Sequence, residues 1–382
     1  MLAPTQTMLT TERRPLAELA DIAAPWRALA ARAAEPNVFY DPDFALAAAP
    51  VLGRGVEAIL VWSAAAPRRL LGLFPFTIAT RRYGVKLPLM VGWTHPFGPL
   101  GTPLIDRDAC AEVVTAFLDH VAGDDALPKY LLLPLLHEAG AFAAALQAGL
   151  AHGACAAFGR HQRAMLRPEG DRAAYLEHAI GRKRRKELRR QRHRLADAGT
   201  LSFSPAQAPG DIAPALADFL AVEAAGWKGR AGTAIAQHAG IRRFVETAVA
   251  ALAARGQARV ARLLLQAQPI ACAVTLTSGN GAWGWKISYD ERCAGGSPGV
   301  QLYLDLTAAM LEEPAIAFVD SCATPDHPMI DHLWRERLPI ADWLIALEPG
   351  ATFGLACRLE TARRHAVTLA RRLRERLRRR GE

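Results

Sequence analysis

The chain has 382 residues, 51% of them hydrophobic, with 46 Lys and Arg against 37 Asp and Glu. That length and composition predict two domains of ordinary size with large cores. No apolar run approaches the ~20 residues needed to cross a bilayer, and Met1–Gln6 has no basic region leading into an apolar stretch, so no signal peptide is expected and the expected location is cytoplasmic.

The elements follow from periodicity and punctuation. A helix is predicted over 15–33, ending before Pro36-Asn37, and Asp41-Pro42-Asp43 caps a second that reaches Ala49. Val56–Ser63 and Arg69–Thr80 read as paired strands, and 83–105 as strand and loop rich in Gly and Pro. A helix (107–122), a buried strand (Tyr130–Leu136), a helix (139–150) and a strand (Ala154–Arg167) complete the first half. The second half opens with one long helix from Asp171 to Ala198, stopped by Gly199, and a strand over Thr200–Ser204. Helical segments run from Asp211 to Arg255, then strands over 258–266, 270–277 and 282–290. A helix (299–313), a strand (316–320), a short helix around 329–337, a strand (340–347) and a helical tail from Thr352 follow. The alternation predicts an α/β protein of two units, 1–155 and 156–350, each with a mixed central sheet flanked by helices. Residues 351–382 form a basic C-terminal helix.

The net charge of +9 is uneven: Arg182–Arg194 carries +8 and Arg358–Glu382 carries +7, so the rest of the chain carries −6. Zinc-finger spacing, an RNP motif and a helix-turn-helix are all missing, so the basic segments alone do not specify a nucleic-acid binder. Arginines 185, 189 and 192 make one basic stripe, suited to solvent, to coenzyme phosphates, to an anionic glycan-lipid or to RNA. In the tail, Leu359, Ala362, Ala366, Leu369, Leu373 and Leu377 recur at helical spacing among arginines. That stripe suits peripheral contact with an anionic membrane, or packing of Leu359 to Leu369 on the second unit with Arg374–Arg380 solvated.

Six cysteines form no CxxC pair and no cluster with His, so free thiols, no metal and no tightly bound cofactor are expected. Only six residues are lysine, and two of them, Lys228 and Lys286, each follow a tryptophan.

The most informative segment is Gly284-Trp285-Lys286-Ile287-Ser288-Tyr289-Asp290-Glu291, followed by Gly295-Gly296-Ser297-Pro298-Gly299 and a helix starting at Val300. A strand, a glycine turn and a helix N-terminus in that order offer backbone N–H groups and the positive end of a helix dipole to an anion such as a diphosphate. Pro298 removes one of those donors. Asp290 and Glu291 point to opposite faces of a strand, so one of them faces the site as general base or both are turn residues. Tyr289 is either core or a hydroxyl near a leaving group. Asp320 ends an apolar strand, and Thr324, Asp326, His327 and Asp331 follow in a loop stiffened by Pro325 and Pro328. A His oriented by a carboxylate is a general base, and the rival reading is a capped structural loop. Glu223, Trp227 and Lys228 gather at a helix end, as an acceptor or phosphate contact or as a plain helix terminus.

These segments resemble a known family. Glu223-Ala224-Ala225-Gly226-Trp227-Lys228-Gly229, Trp285–Glu291, Ser297-Pro298-Gly299 and Asp320–Asp331 with Trp334-Arg335-Glu336-Arg337 resemble the CelD/BcsL-type branch of the GNAT acyltransferase superfamily, itself similar to the FemAB peptidyltransferases. The likeness covers residues 20–350 and is strongest over 220–345. It implies two GNAT-like units, with acyl-CoA as co-substrate of the second and an amine acceptor, glycan or lipid-linked. By the resemblance, Ile287, Ser288 and Asp290 lie on the strand that polarises the thioester, Gly295, Gly296, Ser297, Gly299 and Val300 bind the CoA diphosphate, and Glu223, Trp227, Lys228, Lys286 and Asp331 contact substrate. The candidate catalytic residues are Asp290, Asp320, His327 and Tyr289. Two rivals remain: a FemAB-like transferase that uses aminoacyl-tRNA, and a non-catalytic accessory protein of envelope synthesis.

Overall fold

The computed structural model describes residues 8–82, 84–150, 153–168, 170–348 and 350–381, and within the last helix it leaves the side chains of 351, 371, 372 and 374–381 undescribed. The expectations for Met1–Gln6, for the side chain of Leu377 and for solvation of Arg374–Arg380 therefore lie outside the described residues. In chain order the elements are β1 (Leu9–Pro15), α1 (Ala23–Arg32), α2 (Pro42–Leu52), β2 (Glu57–Ser63), β3 (Leu70–Ala79), β4 (Leu89–Gly92), β5 (Leu104–Ile105), α3 (Cys110–Gly123), β6 (Tyr130–His137), α4 (Ala141–Gly149), β7 (Ala154–Leu166), α5 (Tyr175–Ala179), α6 (Arg182–Asp197), β8 (Leu201–Ala206), α7 (Pro209–Ala225), α8 (Trp227–Arg230), α9 (Ala239–Ala253), β9 (Ala258–Leu265), β10 (Gln268–Ser278), β11 (Gly281–Tyr289), α10 (Pro298–Leu311), β12 (Phe318–Asp320), β13 (Glu336–Ala346) and α11 (Ala351–Gly381).

One strand, β1, lies outside the expected elements, and three expected elements differ, the first being the helix over 15–33, which opens as a 3-10 segment, Leu16–Ile22, before α1. β1 has too polar a sequence to announce itself; it forms because it pairs along its whole length with β2, where Glu12 accepts a hydrogen bond from Trp62 Nε1 and Arg13 meets Glu57. The long helix over 171–198 is broken at Ile180, which turns extended and buries its side chain in the core. The short helix around 329–337 is a single 3-10 turn, Ile330–His332, because Trp334 sinks into the core and donates to Thr307 Oγ1 at 3.0 Å.

The chain divides into two compact units that are not contiguous in sequence: Met1–Glu18, Gly55–His161 and Pro339–Glu382 form unit 1, and Leu19–Arg54 with Gln162–Leu338 form unit 2. The expected contiguous boundaries miss this exchange, since strand pairing and helix docking join segments distant in sequence. In unit 1 the sheet order is β1-β2-β3-β4-β6-β13, antiparallel except for the parallel β4–β6 pair. Phe74 stacks on Phe117 of α3 on one face, and Leu89, Leu132 and Leu344 meet Ala356 of α11 on the other. Glu360 of α11 is buried and held by Arg82, Arg363 and Arg364. The packing of Leu359 to Leu369 expected on the second unit is corrected: α11 is held within unit 1 over its first four turns, the fourth through Arg364 on Asp342, and Leu369 is 59% exposed.

Unit 2 has three layers. Its sheet runs β12-β11-β10-β9-β8, with the last residues of β7 pairing to β12. Ala271, Ala273 and Ala282 face α6 and α10, whose Leu188, Leu195, Leu302 and Leu306 bury against them. On the opposite face, Trp283 packs edge-on to Phe39, and Trp285 meets Phe44 of α2 and Phe244 of α9. Both tryptophans are buried, and side chains of this size contribute on the order of 2–3 kcal/mol each.

Candidate active site

β11 carries the site, and its geometry departs from a plain strand at two points. A bulge interrupts its pairing with β10, since Thr275 opposes Gly284 and Val274 opposes Lys286, leaving Trp285 as the extra residue. The bulge resets the alternation of faces. Gly284 lies against Tyr303 of α10, and Ile287 stands by Gly299 at the start of α10. Ser288 turns to the other face and donates to Phe219 O of α7 at 3.2 Å. Glycine within a strand signals such a bulge, and Gly284 between two tryptophans was that signal in the sequence.

The second departure is a fork. β11 pairs in parallel with β12 only from Gly281↔Phe318 to Trp283↔Asp320, and it then runs on to Tyr289 paired with β10. Beyond Asp320 the β12 side of the chain turns away, with Cys322 in the left-handed region at φ 53° and its N–H donated to Asp320 Oδ1 at 2.8 Å.

At the end of β11 the glycine turn is a 3-10 segment, Glu291–Gly296, capped by Asp290, which accepts from Arg292 N at 2.9 Å. Ser297 enters α10 with φ 51°, a conformation that costs a non-glycine residue of order 1 kcal/mol or more. The expectation of several outward-pointing donors is corrected here: Val300 and Gln301 both donate to Ser297 O, and Pro298 has no N–H. Gly296 is not open either, because a Cβ there would lie 2.4 Å from the Leu195 side chain of α6. A Cβ on Gly299 would sit 3.3 Å from Ile287 Cδ1, so this glycine lies close against the β11 side chains. Gly295 does face open space, and Arg194 Nη1 donates to its carbonyl at 3.4 Å.

Six of the expected residues come together at the end of β11. Glu223, Trp227, Lys228, Ile287, Ser288 and Tyr289 line a cleft of about 30 Å³, room for a water molecule or two. Glu223 is buried; one carboxylate oxygen takes Lys228 Nζ at 2.7 Å and the other accepts from Ile235 N at 2.8 Å. Lys286 joins this cluster, with Nζ 5.8 Å from the centre of the Trp285 ring. Burial pushes its ammonium down to about 8, helped by Lys228 and opposed by Cys322 and Glu223. Trp227 is 55% exposed, and its N–H donates to Glu291 Oε1 at 2.8 Å, which ties the glycine turn to α8.

The carboxylates expected as bases have other partners. Asp290 is clamped by the Arg292 guanidinium, which holds it below the usual carboxylate range and makes it a weaker proton acceptor. Asp320 is fully buried, 2.8 Å from Arg163 Nη1. Among the described residues it makes no hydrogen bond to His327, whose Nδ1 accepts from Met329 N at 3.4 Å. Asp320 therefore is not the carboxylate that would orient His327, because both of its oxygens are committed to Arg163 and to the turn at Cys322. Asp331 lies one turn further on, its carbonyl accepting from Arg337. Burial raises the Cys322 thiol well above its ordinary value, so it is un-ionised at neutral pH. Arg163, on β7 and 157 residues away from Asp320, had no local signal in the sequence.

α6 turns Leu188 and Leu195 inward, and Arg192 pairs with Asp305 of α10. Arg182, Lys183, Arg184, Lys186 and Arg189 line an open concavity of about 1,210 Å³.

Among solved structures, the C-terminal domain of a proposed lysylphosphatidylglycerol synthetase from Agrobacterium fabrum is similar at 12% identity and TM-score 0.56, over 90% of this chain and 96% of that one. FemX is similar at 9% identity and TM-score 0.54, over 85% and 95%. A conserved protein of unknown function from Bacteroides thetaiotaomicron is similar at 10% identity and TM-score 0.51, over 88% and 99%. At such identities the likeness is one of fold. No curated protein matches the chain in sequence. Residues 182–327, the stretch of unit 2 that holds α6, the forked β11 and α10, match the family model of the acetyltransferase (GNAT) domain.

Proposed function

We propose that unit 2 is an N-acyltransferase of the CelD/BcsL type that moves an acyl group, acetyl in the first instance, from acyl-CoA to an amine of a cell-envelope or exopolysaccharide precursor. The fork between β11 and β12 carries the reading. Where two parallel strands separate, a thioester carbonyl can lie beside strand N–H groups, which then stabilise the oxyanion. The glycine turn and the positive end of α10 stand at the end of the same strand, where a diphosphate is favoured. Arg194 reaches that turn and supplies cationic charge where backbone donors are few. The amine acceptor and its envelope class rest on the sequence resemblance. His327, Tyr289 and Asp331 remain candidate contacts around the acceptor. Calorimetry with CoA and acetyl-CoA tests the reading: saturable binding is expected, and no heat at millimolar CoA overturns it.

One observation favours a second reading. Arg182, Lys183, Arg184, Lys186 and Arg189 line one open concavity together with Glu187 and make no ion pair within 4 Å among the described residues, so α6 presents a strongly basic surface. Such a surface would suit an aminoacyl-tRNA donor. Filter retention of aminoacyl-tRNA, steeply weakened by salt, would support that donor over acyl-CoA.

A further inference from the structure

Lys286 stands where the two irregularities of β11 meet. The bulge gives it the α7 face, over Trp285 and within electrostatic reach of Lys228 on α8, Glu223 on α7 and Cys322 in the loop after β12. It lies three residues past the last β11–β12 pair, and Cys322 lies two past the same pair on the other arm. Its amine is therefore beside the fork, on the face of β11 that α7 covers. We propose that Lys286 is the general base of the transfer, its uncharged ε-amine taking the proton from the acceptor ammonium at the fork. This assignment rests on the acyltransferase reading of unit 2.

The chemistry balances without another reagent. The acceptor ammonium gives one proton to Lys286 Nζ, and the neutral amine attacks the thioester carbonyl. The C–N bond forms as the C–S bond breaks, and the second amine proton goes to the departing thiolate. Lys286 then releases its proton to water. An amine base works only when uncharged near the working pH, and burial together with a neighbouring ammonium produces that state. Here Glu223 holds Lys228 in place at 2.7 Å, so the like charge beside Lys286 is fixed. The carboxylates near the turn and fork do not compete for the role, since Asp290 is clamped by Arg292 and Asp320 by Arg163.

The small lysine count makes a direct test possible. With six lysines in the chain, ¹³Cε-labelled lysine gives six resonances, each assignable by a Lys→Arg variant. The Lys286 resonance should titrate near 8, and Lys228→Met should raise its midpoint. In parallel, thiol release from acetyl-CoA is followed with a panel of amino sugars as acceptors. Lys286→Met should lower kcat by ~100-fold or more, with CoA affinity and circular dichroism unchanged. The acid limb of the kcat/KM profile should move upward in Lys228→Met, which a structural role for Lys286 would not produce. A Lys286 midpoint near the ordinary lysine value overturns the proposal, as does full turnover by a folded Lys286→Met. Failure of the native protein to bind CoA overturns the acyltransferase reading itself, and the base assignment with it.

Discussion

Arg163 and Asp320 form an ion pair of 2.8 Å with both side chains almost wholly buried, and Asp320 at the same time holds the N–H of Cys322. The pair fixes the arm of the fork that belongs to β12. Removing one partner leaves a buried charge, which costs about 3–5 kcal/mol, whereas replacing both with apolar residues is far milder. Arg163→Met should therefore lose about that much in urea unfolding, and Arg163→Met with Asp320→Leu should recover most of it. A loss below ~1 kcal/mol in the single variant would show that the pair does not hold the fork.

Asp290 caps the glycine turn and holds Arg292, so its role is positional. Asn caps almost as well as Asp, whereas Ala loses about 1 kcal/mol. Asp290→Asn should keep turnover within a few-fold of native, and Asp290→Ala should be measurably less stable in thermal unfolding. A ~100-fold loss of turnover in Asp290→Asn would return the base role to this carboxylate.

Saturating CoA should slow amide hydrogen exchange across 285–305, because that segment contains the open arm of the fork, the turn and the start of α10. Unchanged exchange there would place the donor elsewhere. Gly299→Arg should weaken binding through displacement of β11, seen as altered exchange at Ile287 even without CoA.

Lys286 gives stability a pH signature. Its folded value, about 8, lies below the unfolded 10.5, so the unfolded chain binds more protons between those values. The penalty of the buried charge is full below pH 8 and is relieved as pH rises from about 8 to 10.5. Lys286→Met should be more stable than the native chain at pH 7, and the gap should narrow as pH rises from about 8 to 10.5. Urea midpoints that track in parallel over that range would contradict the depressed value.

On α11, Leu369 and Leu373 are 59% and 49% exposed at a four-residue spacing, and the segment from Arg358 carries +7. A helix of this kind binds anionic lipid, each basic residue adding about 1 kcal/mol. Truncation after Leu373 should reduce sedimentation with phosphatidylglycerol vesicles at low salt and leave the fold of unit 1 intact, since Ala356 and Glu360 supply the anchor. Equal binding by both forms would rule the membrane role out.

Sequence alone determined most of the local architecture. Helical and strand periods placed the three strands 258–266, 270–277 and 282–290, and the glycine turn 295–299 placed the start of α10 to within two residues, because these signals act within a few residues. It also gathered Glu223, Trp227, Lys228 and Tyr289 as candidates before any of them was seen to share a cleft. What lay beyond it were the relations set by pairing. The bulge at Trp285 exists only in register with Val274 and Thr275, and it decides the face that Lys286 occupies. The commitment of Asp320 to Arg163 depends on β7 lying beside β12, and the mixing of segments 19–54 and 162–338 in one unit depends on the docking of α2 on α9. A carboxylate reads the same in sequence whether it is clamped by a distant guanidinium or open to a substrate. Its charge environment is made by residues brought together through tertiary packing, and that environment decides which group can carry the proton.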